Sequence, residues 1–474
     1  MNMADTKMNA SSLSDYCNQR DINLRDISCL DGSRFRVTAE SIYRAPLFNR
    51  FLWSDYSNRI MDVSVANAPH IVIRRTGEML TDSLLKSIEF LLERHDVLNS
   101  SIETTDGNLY IVCHKNRNLA FREITATGKT AGDREDEAYC IANDLVWEEY
   151  DLDNGPLYRV FLIRLSVNEY ILGVTLHHAI GDLISIGIMF QELLSIYGSV
   201  TSGIPLRVTP ARLRYMDYLA SMESWSVGAA CKELIRHWVY KLKSTPITDL
   251  QPNGADSLKN AVSESMSEKK FQLDAETYRE LKKIAVHLKT TLFMILLAIY
   301  KTAIRRMTGQ DEIVIVALHS GRLDAGFQNA IGNFAMETAY KTCLSGNTGF
   351  SEIIGQITSA VNEANSHQPV PLDWVRQALA REDISFCAPG INFIPGDAAR
   401  NKNPLASHKL NFTPPGVKHG CHGFQVSFAI EFRDTDSTIN GSMVYRKDLY
   451  DESTIYAFMN YYFKTVFDVI REKR

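Results

Sequence analysis

The chain has 474 residues, with 51 Lys and Arg against 56 Asp and Glu and a formal charge of −5, so there is no basic excess for nucleic acid and no polybasic tail for an anionic membrane. Eight cysteines, at 17, 29, 113, 140, 231, 343, 387 and 421, form no CxxC pair and no zinc-type spacing; reduced thiols in a cytoplasmic protein are the simplest expectation. No charged segment followed by an apolar one marks a secretory signal, and the longest apolar run, Thr291 to Tyr300, is about half of the ~20 residues that a spanning helix needs.

Residues 1–35 are rich in Ser, Asn and Asp and read as a leader or N-terminal extension. Pro46, Phe48 and Trp53 give the folded part an aromatic start, followed by strand pieces at Asp62 to Val65 and Ile71 to Arg74. Thr81 reads as the N-cap of a helix carrying Leu84, Leu85, Ile88, Leu91 and Leu92 on one face. His95 reads as a structural cation near that helix's carbonyl end. A hairpin is expected from Ser101-Ile102 and Leu109 to Val112, then a helix over 136–149 and a turn at Asn154-Gly155-Pro156.

Two β-branched and Leu-rich strands, Leu157 to Ile163 and 170–176, pair through a short connection. The second runs into His177-His178-Ala179-Ile180-Gly181-Asp182 and an apolar stretch from Leu183 to Phe190, whose spacing predicts a helix ending at Gly198. The two histidines thus sit in a strand-to-helix turn, where a rigid scaffold can present a base to a cavity. Neighbouring residues leaving a strand point to opposite sides, so only one imidazole can face that cavity while the other packs. Asp182 can come under the site, to orient an imidazole or to pair with an Arg that braces the turn.

Ser199 to Pro210, with Gly203, Pro205 and Pro210, is the best linker, which sets an N-terminal subdomain at 36–203 and a C-terminal one at 204–474. Helices are expected at 212–225 and 229–242, a loop over 245–268, a strand at Lys270 to Leu273, and helices at 275–287 and 291–307. The strand Glu312 to Ala317 leads to His319-Ser320-Gly321-Arg322. Further strands are expected at Ile391 to Phe393, Phe424 to Ile430 and Asn440 to Tyr445, before a final helix from Thr454 to Ile470 whose Met and aromatic stripe reads as core. Strands mixed with long helices in both halves predict an α/β class with two comparable sandwiches. His419-Gly420-Cys421-His422 offers metal-binding side chains but no further partner nearby, so a loop is expected there and no metal.

The residues resemble the condensation domains of nonribosomal peptide synthetases, in the superfamily of chloramphenicol acetyltransferase. His177 to Asp182 is similar to the HHxxxDG signature, Arg94 to Leu98 to RHExLR, and Tyr215 to Tyr218 to YxDY. Ile331 to Phe334 resembles IGxF, Ile391 to Phe393 the NF motif, and Tyr445 to Tyr450 the segment before the final helix; in order and spacing the resemblance covers residues 44–470. It implies two acetyltransferase-like sandwiches forming a V-shaped pseudo-dimer with a central tunnel. An acyl group would arrive as a phosphopantetheine thioester on a carrier protein in trans, and transfer to an amine would make an amide in nonribosomal peptide or related natural-product biosynthesis, antibiotics included.

By the same resemblance His178 is catalytic, His177 packs beneath it, Asp182 and Arg322 form a structural pair, and Leu183, His319 and Asn392 contact substrate. No cofactor is bound by the protein itself. The family usually has Gly where Leu183 stands, and the helical pattern leads us to expect that Leu183 packs into the helix face. Asn99 and His319 are lesser departures. No adenylation or carrier segment is visible, so a free-standing enzyme is expected. Direct transfer is favoured over an acyl-enzyme, because Ser320 has no base at visible spacing. An ester-forming enzyme with a hydroxyl acceptor, or a non-catalytic docking protein of the same fold, are the alternatives; hydride and phosphoryl transfer are disfavoured by the absence of GxGxxG and of a P-loop.

Overall fold

The structure, a computed structural model, describes residues 41–46, 69–105, 108–115, 119–205, 213–250, 266–346, 349–367, 370–384, 386–396 and 427–472. The leader, Phe48 to Trp53, the strand piece at 62–65 and the His419–His422 loop lie outside them. The chain is α/β and divides into two compact units, and the division does not fall at residues 203/204. The described part of the first unit runs to Gly228 and also takes in Ser320–Ala335; the rest of the described residues form the second. Segment 320–335 joins the first unit because its Arg322 is buried on Asp182, a long-range pairing with no local sequence signature.

In the first unit, β1 (Ser41–Pro46), β4 (Asn108–His114) and β3 (Ser100–Thr105) form a three-stranded sheet in the order β1-β4-β3. Strands β2 (His70–Thr76), β5 (Phe121–Thr125), β6 (Tyr158–Ser166) and β7 (Glu169–Leu176) form a four-stranded one in the order β2-β7-β6-β5. β6 and β7 are antiparallel, with Tyr158 opposite Leu176 and Phe161 opposite Gly173. They read as near-continuous apolar runs because both faces are covered. Gly173 is required there, since a Cβ would lie 2.0 Å from the Phe161 ring. On one face lies α2 (Ala131–Trp147), whose Ala138, Ala142, Leu145 and Val146 pack on Val72, Phe161, Ile163 and Ile171. Its start is a reciprocal capping box between Thr130 and Asp133.

Helix α1 (Thr81–Arg94) follows β2, but its N-cap is Leu80, not Thr81. The Thr81 hydroxyl is instead engaged by Glu123 and Arg164 on β5 and β6, a tertiary use that outcompetes capping. Helix α3 (Leu183–Ser202) runs past Gly198 and stops at Gly203, whose φ of +70° is the left-handed conformation that ends a helix. Among the described residues α3 is the one unbroken helix that by length and composition could cross a membrane, with a mean hydropathy of 1.5. Here it packs on α1, β2 and β7 as a core helix.

The second unit holds a six-stranded sheet in the order β10-β9-β11-β12-β13-β8, formed by β8 (Met266–Leu273), β9 (Glu312–His319), β10 (Met336–Cys343), β11 (Gly390–Ile394), β12 (Phe428–Asp434) and β13 (Ile439–Arg446). β12 runs to Asp434, four residues beyond the expected end at Ile430, because its register pairs Phe428 with Tyr445 and Asp434 with Ile439; the expected start at Phe424 to Val426 lies outside the described residues. β10 and two helices, Phe350–Ser366 and Leu372–Ala380, were not among the expected elements. Helix Leu292–Thr308 is buried over most of its surface, including Lys301, whose ammonium donates to Ile313 O, Tyr340 O and Thr342 Oγ1.

Helices α1 and α3 are tied by one buried carboxylate. Glu192 accepts both arms of Arg94 at 3.0 Å and lies 2.9 Å from His95 Nε2. Burial pushes the Glu192 pKa up, but the hydrogen bonds from His95 and Arg94 outweigh it and hold the carboxyl below its ordinary value. A carboxyl lowered by folding contributes stability that is complete above the unfolded pKa and lost as pH falls. Glu192→Ala therefore lowers unfolding free energy at pH 7 by an amount near the bottom of the roughly 3–5 kcal/mol range for broken buried pairs, since Arg94 is partly exposed. In urea titrations the gap between variant and wild type narrows as pH drops below about 4.5.

Candidate active site

β7 ends at Leu176 and the chain turns at once. The main-chain N–H of His177 donates to Leu157 O at 2.8 Å, and the Ile180 N–H closes the turn on His177 O at 3.0 Å. Gly181 lies so close beneath Leu176 that a Cβ would come within 2.5 Å of its Cδ1, so the turn cannot accept a larger residue without shifting. His177 is buried; its Nδ1 accepts from the Ala179 N–H at 3.2 Å, and its ring meets Tyr150 edge-on at 5.6 Å. The Tyr150 hydroxyl bonds Thr175, and burial raises its pKa to about 12, so it stays protonated.

His178, the next residue, is only half-buried. The two residues thus differ in burial, His177 buried and His178 half-buried. Burial lowers the His178 pKa below 6.5, opposed by an interaction with its own main chain and by the Asp182 charge. The ring is therefore neutral at pH 7 and can accept a proton.

Asp182 does two things. As N-cap of α3 its Oδ1 accepts the Ser185 N–H at 2.8 Å, satisfying one of the helix's free donors. It also receives Arg322 through two parallel bonds, Nη1 to Oδ2 at 2.7 Å and Nη2 to Oδ1 at 3.0 Å. Asp182 is 3% and Arg322 5% exposed. Charges so deep need every contact they can find. Phe334 N–H donates to Asp182 Oδ2 at 3.2 Å, Arg322 Nη2 reaches Ala330 O at 3.3 Å, and the guanidinium lies 4.5 Å above the Phe334 ring. That ring packs against Tyr215 and Tyr218 of α4 (Tyr215–Ser226) and against Phe327. A Cβ on Gly332 would strike the Tyr215 ring at 2.2 Å.

Ser185 was not singled out from the sequence, although its hydroxyl lies within 2.9 Å of both Asp182 Oδ1 and Arg322 Nη2 and within 3.0 Å of both polar main-chain atoms of Gly332. A serine one turn into a helix carries no signal of its own. Leu183 differs from expectation: it is 42% exposed, beside Ile184 at 39%. Side chains in a helix lie back over the preceding turn, and Leu183 is the first residue of α3 with no such turn to cover. The buried face starts instead at Ser185 and Ile186.

His177, His178, Asp182, Leu183 and Arg322 belong to the first unit, and His319 and Asn392 to the second. These last two lie on adjacent parallel strands, His319 two residues beyond Ala317 and Asn392 one beyond Ile391, the partner of Ala317, with Asn392 opposite Glu431 on β12. Burial pushes the His319 pKa down to about 4, so it is neutral at pH 7. Asn99 is structural: its amide donates to His114 O at 2.7 Å. Among the described residues no group of three or more His, Cys, Asp and Glu is placed to hold a metal ion.

A family model described as "Condensation domain" matches residues 60–473. This chain belongs to the condensation-domain family. Amide bond formation is the general reaction of condensation domains in nonribosomal peptide synthesis. The chain is 26% identical over 396 residues to malpinin synthetase of Mortierella alpina, covering 82% of this chain and 5% of that protein. It is 25% identical over 427 residues to a chondramide synthase of Chondromyces crocatus, covering 88% and 10%. It thus spans a small part of the length of these relatives.

Solved structures share the fold, which is of the chloramphenicol acetyltransferase type. The X-domain from teicoplanin biosynthesis matches with a TM-score of 0.69 at 18% identity, over 90% of this chain and 95% of that one. The epimerization domain from the third module of tyrocidine synthetase B matches with 0.70 at 15%, over 92% and 99%. A condensation-domain structure described for chain release from the enacyloxin polyketide synthase matches with 0.70 at 18%, over 96% and 89%.

Removing one partner of the Asp182–Arg322 pair leaves a buried charge uncompensated. Asp182→Ala and Arg322→Ala should each cost roughly 3–5 kcal/mol of unfolding free energy. The double variant should cost clearly less than their sum, because the second change removes the charge that the first had stranded. Urea denaturation of the three variants measures both.

Proposed function

We propose that this condensation domain transfers an acyl or aminoacyl group from a carrier-protein phosphopantetheine thioester to an amine, with His178 as the group that takes or holds the proton of the nucleophile. The observation that carries this reading is the difference between the two histidines: His177 is buried and bonded, while His178, the half-buried one, is neutral at pH 7 and held on a turn pinned by a buried ion pair. Attack of an amine on a thioester needs a proton acceptor at the nitrogen and a donor or positioned dipole for the oxyanion. A neutral imidazole meets the first need, and direct transfer requires no covalent intermediate. The donor carrier protein is taken as a partner supplied in trans, and the phosphopantetheine arm comes with it. Leu183, His319 and Asn392 are proposed as substrate contacts. For Leu183 the support is its exposure, with Ile184, five residues from His178, where a large apolar side chain would suit an apolar donor.

The test is intact-mass analysis of acyl-loaded carrier proteins incubated with the protein and with amines or alcohols in parallel. Acyl loss from the carrier with amide formed supports the reading. Ester formation alone would identify a hydroxyl acceptor, and no transfer from any loaded carrier would favour a docking role.

In the productive assay His178→Ala should lower turnover by about 10²–10⁴, the range for general acid–base catalysis, with circular dichroism unchanged. Because the pKa is lowered, the base form persists below pH 6.5. The acid limb of kcat/KM should therefore lie below that value, and it should be missing from the residual activity of His178→Ala.

A further inference from the structure

We propose that Ser185 is the positioning residue of this site, whose single hydroxyl proton is shared between Asp182 Oδ1 and Gly332 O, coupling the turn that carries His178 to segment Ser320–Ala335. The inference rests on the reading of His178 given above. The Ser185 side chain is fully buried at the third position of α3. Its oxygen accepts from Arg322 Nη2 at 2.9 Å and from the Gly332 N–H at 3.0 Å, which uses both lone pairs. Its one proton then has two acceptors in reach, Gly332 O at 2.6 Å and Asp182 Oδ1 at 2.9 Å. No other described hydroxyl touches both members of the ion pair and the segment that brings Arg322.

The consequence is electrical as well as mechanical. A proton directed at Asp182 draws off part of the carboxylate charge that the imidazole feels; one directed at Gly332 O leaves that charge whole. A small movement of the 320–335 segment changes the balance, because Gly332 both gives to and takes from the same oxygen. Gly332 is itself held: Tyr215 donates to the next carbonyl, Asn333 O, at 3.0 Å, and its ring fills the place of a Cβ on Gly332. The charged groups that bear on His178 within this unit are Asp182 and, through it, Arg322. Tyr215 and Tyr218 behind them are held protonated by burial, and His177 is the neighbouring imidazole, bonded to the turn.

The test uses the full chain, labelled with 15N-histidine, with the His178 resonance assigned by His178→Gln. Ser185→Cys keeps the volume but loses a strong donor and acceptor, and Ser185→Ala removes the group. In both, once circular dichroism shows a folded protein, the His178 imidazole should titrate at a pH higher than in the wild type by about 0.5–1 unit, as a carboxylate that has lost a donor bears more fully on it. In the acyl-transfer assay kcat should fall by about tenfold or more with KM little changed, and Ser185→Thr should recover part of it.

Gly332→Ala, which leaves the hydroxyl in place but forces the segment off it, takes away the competing acceptor, turns the proton to Asp182 and should move the titration the opposite way, to lower pH. It also serves if the Ser185 variants do not fold. An unchanged His178 titration in folded variants, or full activity in Ser185→Cys, would overturn the proposal. The titration arm needs no substrate, so a protein that transfers no acyl group but shows the shift would overturn the functional reading and leave the role of Ser185 standing.

Discussion

The Asp182–Arg322 ion pair is the constraint on which the site depends. Two charges that are 3% and 5% exposed are costly to bury, and they are tolerated because both carboxylate oxygens and both terminal guanidinium nitrogens are hydrogen-bonded. The carboxylate caps a helix, holds a guanidinium by two bonds and accepts a main-chain N–H from Phe334. The guanidinium in turn rests on an aromatic ring, which belongs to a cluster with Tyr215, Tyr218 and Phe327. A chain segment 140 residues away in sequence is thereby attached to the turn that carries the histidines.

The turn is rigid for a second reason. It leaves a strand buried on both faces and enters a helix whose middle is anchored again, by Glu192 on Arg94 and His95. A strand end, a capped helix start and a buried carboxylate about two and a half turns further on fix the backbone on both sides of His178. The imidazole is then placed by this scaffold together with the interaction with its own main chain. That arrangement suits a proton acceptor, which must be held in position yet remain open to a substrate.

Much of this was legible along the chain. The paired strands, the strand-to-helix turn, the long apolar helix at 292–308 and the final helix follow from short-range periodicity, which depends only on side chains three, four or two residues apart. The family was legible too, because its motifs recur in order over most of the sequence. Boundaries were less so. Thr81 looks like a helix cap until Glu123 and Arg164 claim its hydroxyl, and Gly198 looks like a stop although the helix continues to Gly203.

Read along the chain alone, most of the elements, the histidine pair in its turn and the likeness that pointed to a condensation domain are legible, since each is written in residues that are near neighbours or in a fixed order; β10 and the helices Phe350–Ser366 and Leu372–Ala380 are not. Tertiary structure alone decided that segment 320–335 folds with the first unit, that Leu183 stands exposed where its helix pattern implied burial, and that Ser185 sits at the centre of the network. The reason is physical: burial, ion pairing and the sharing of one hydroxyl proton depend on which atoms meet across space, and a serine or a leucine carries the same letter whether it meets them or not.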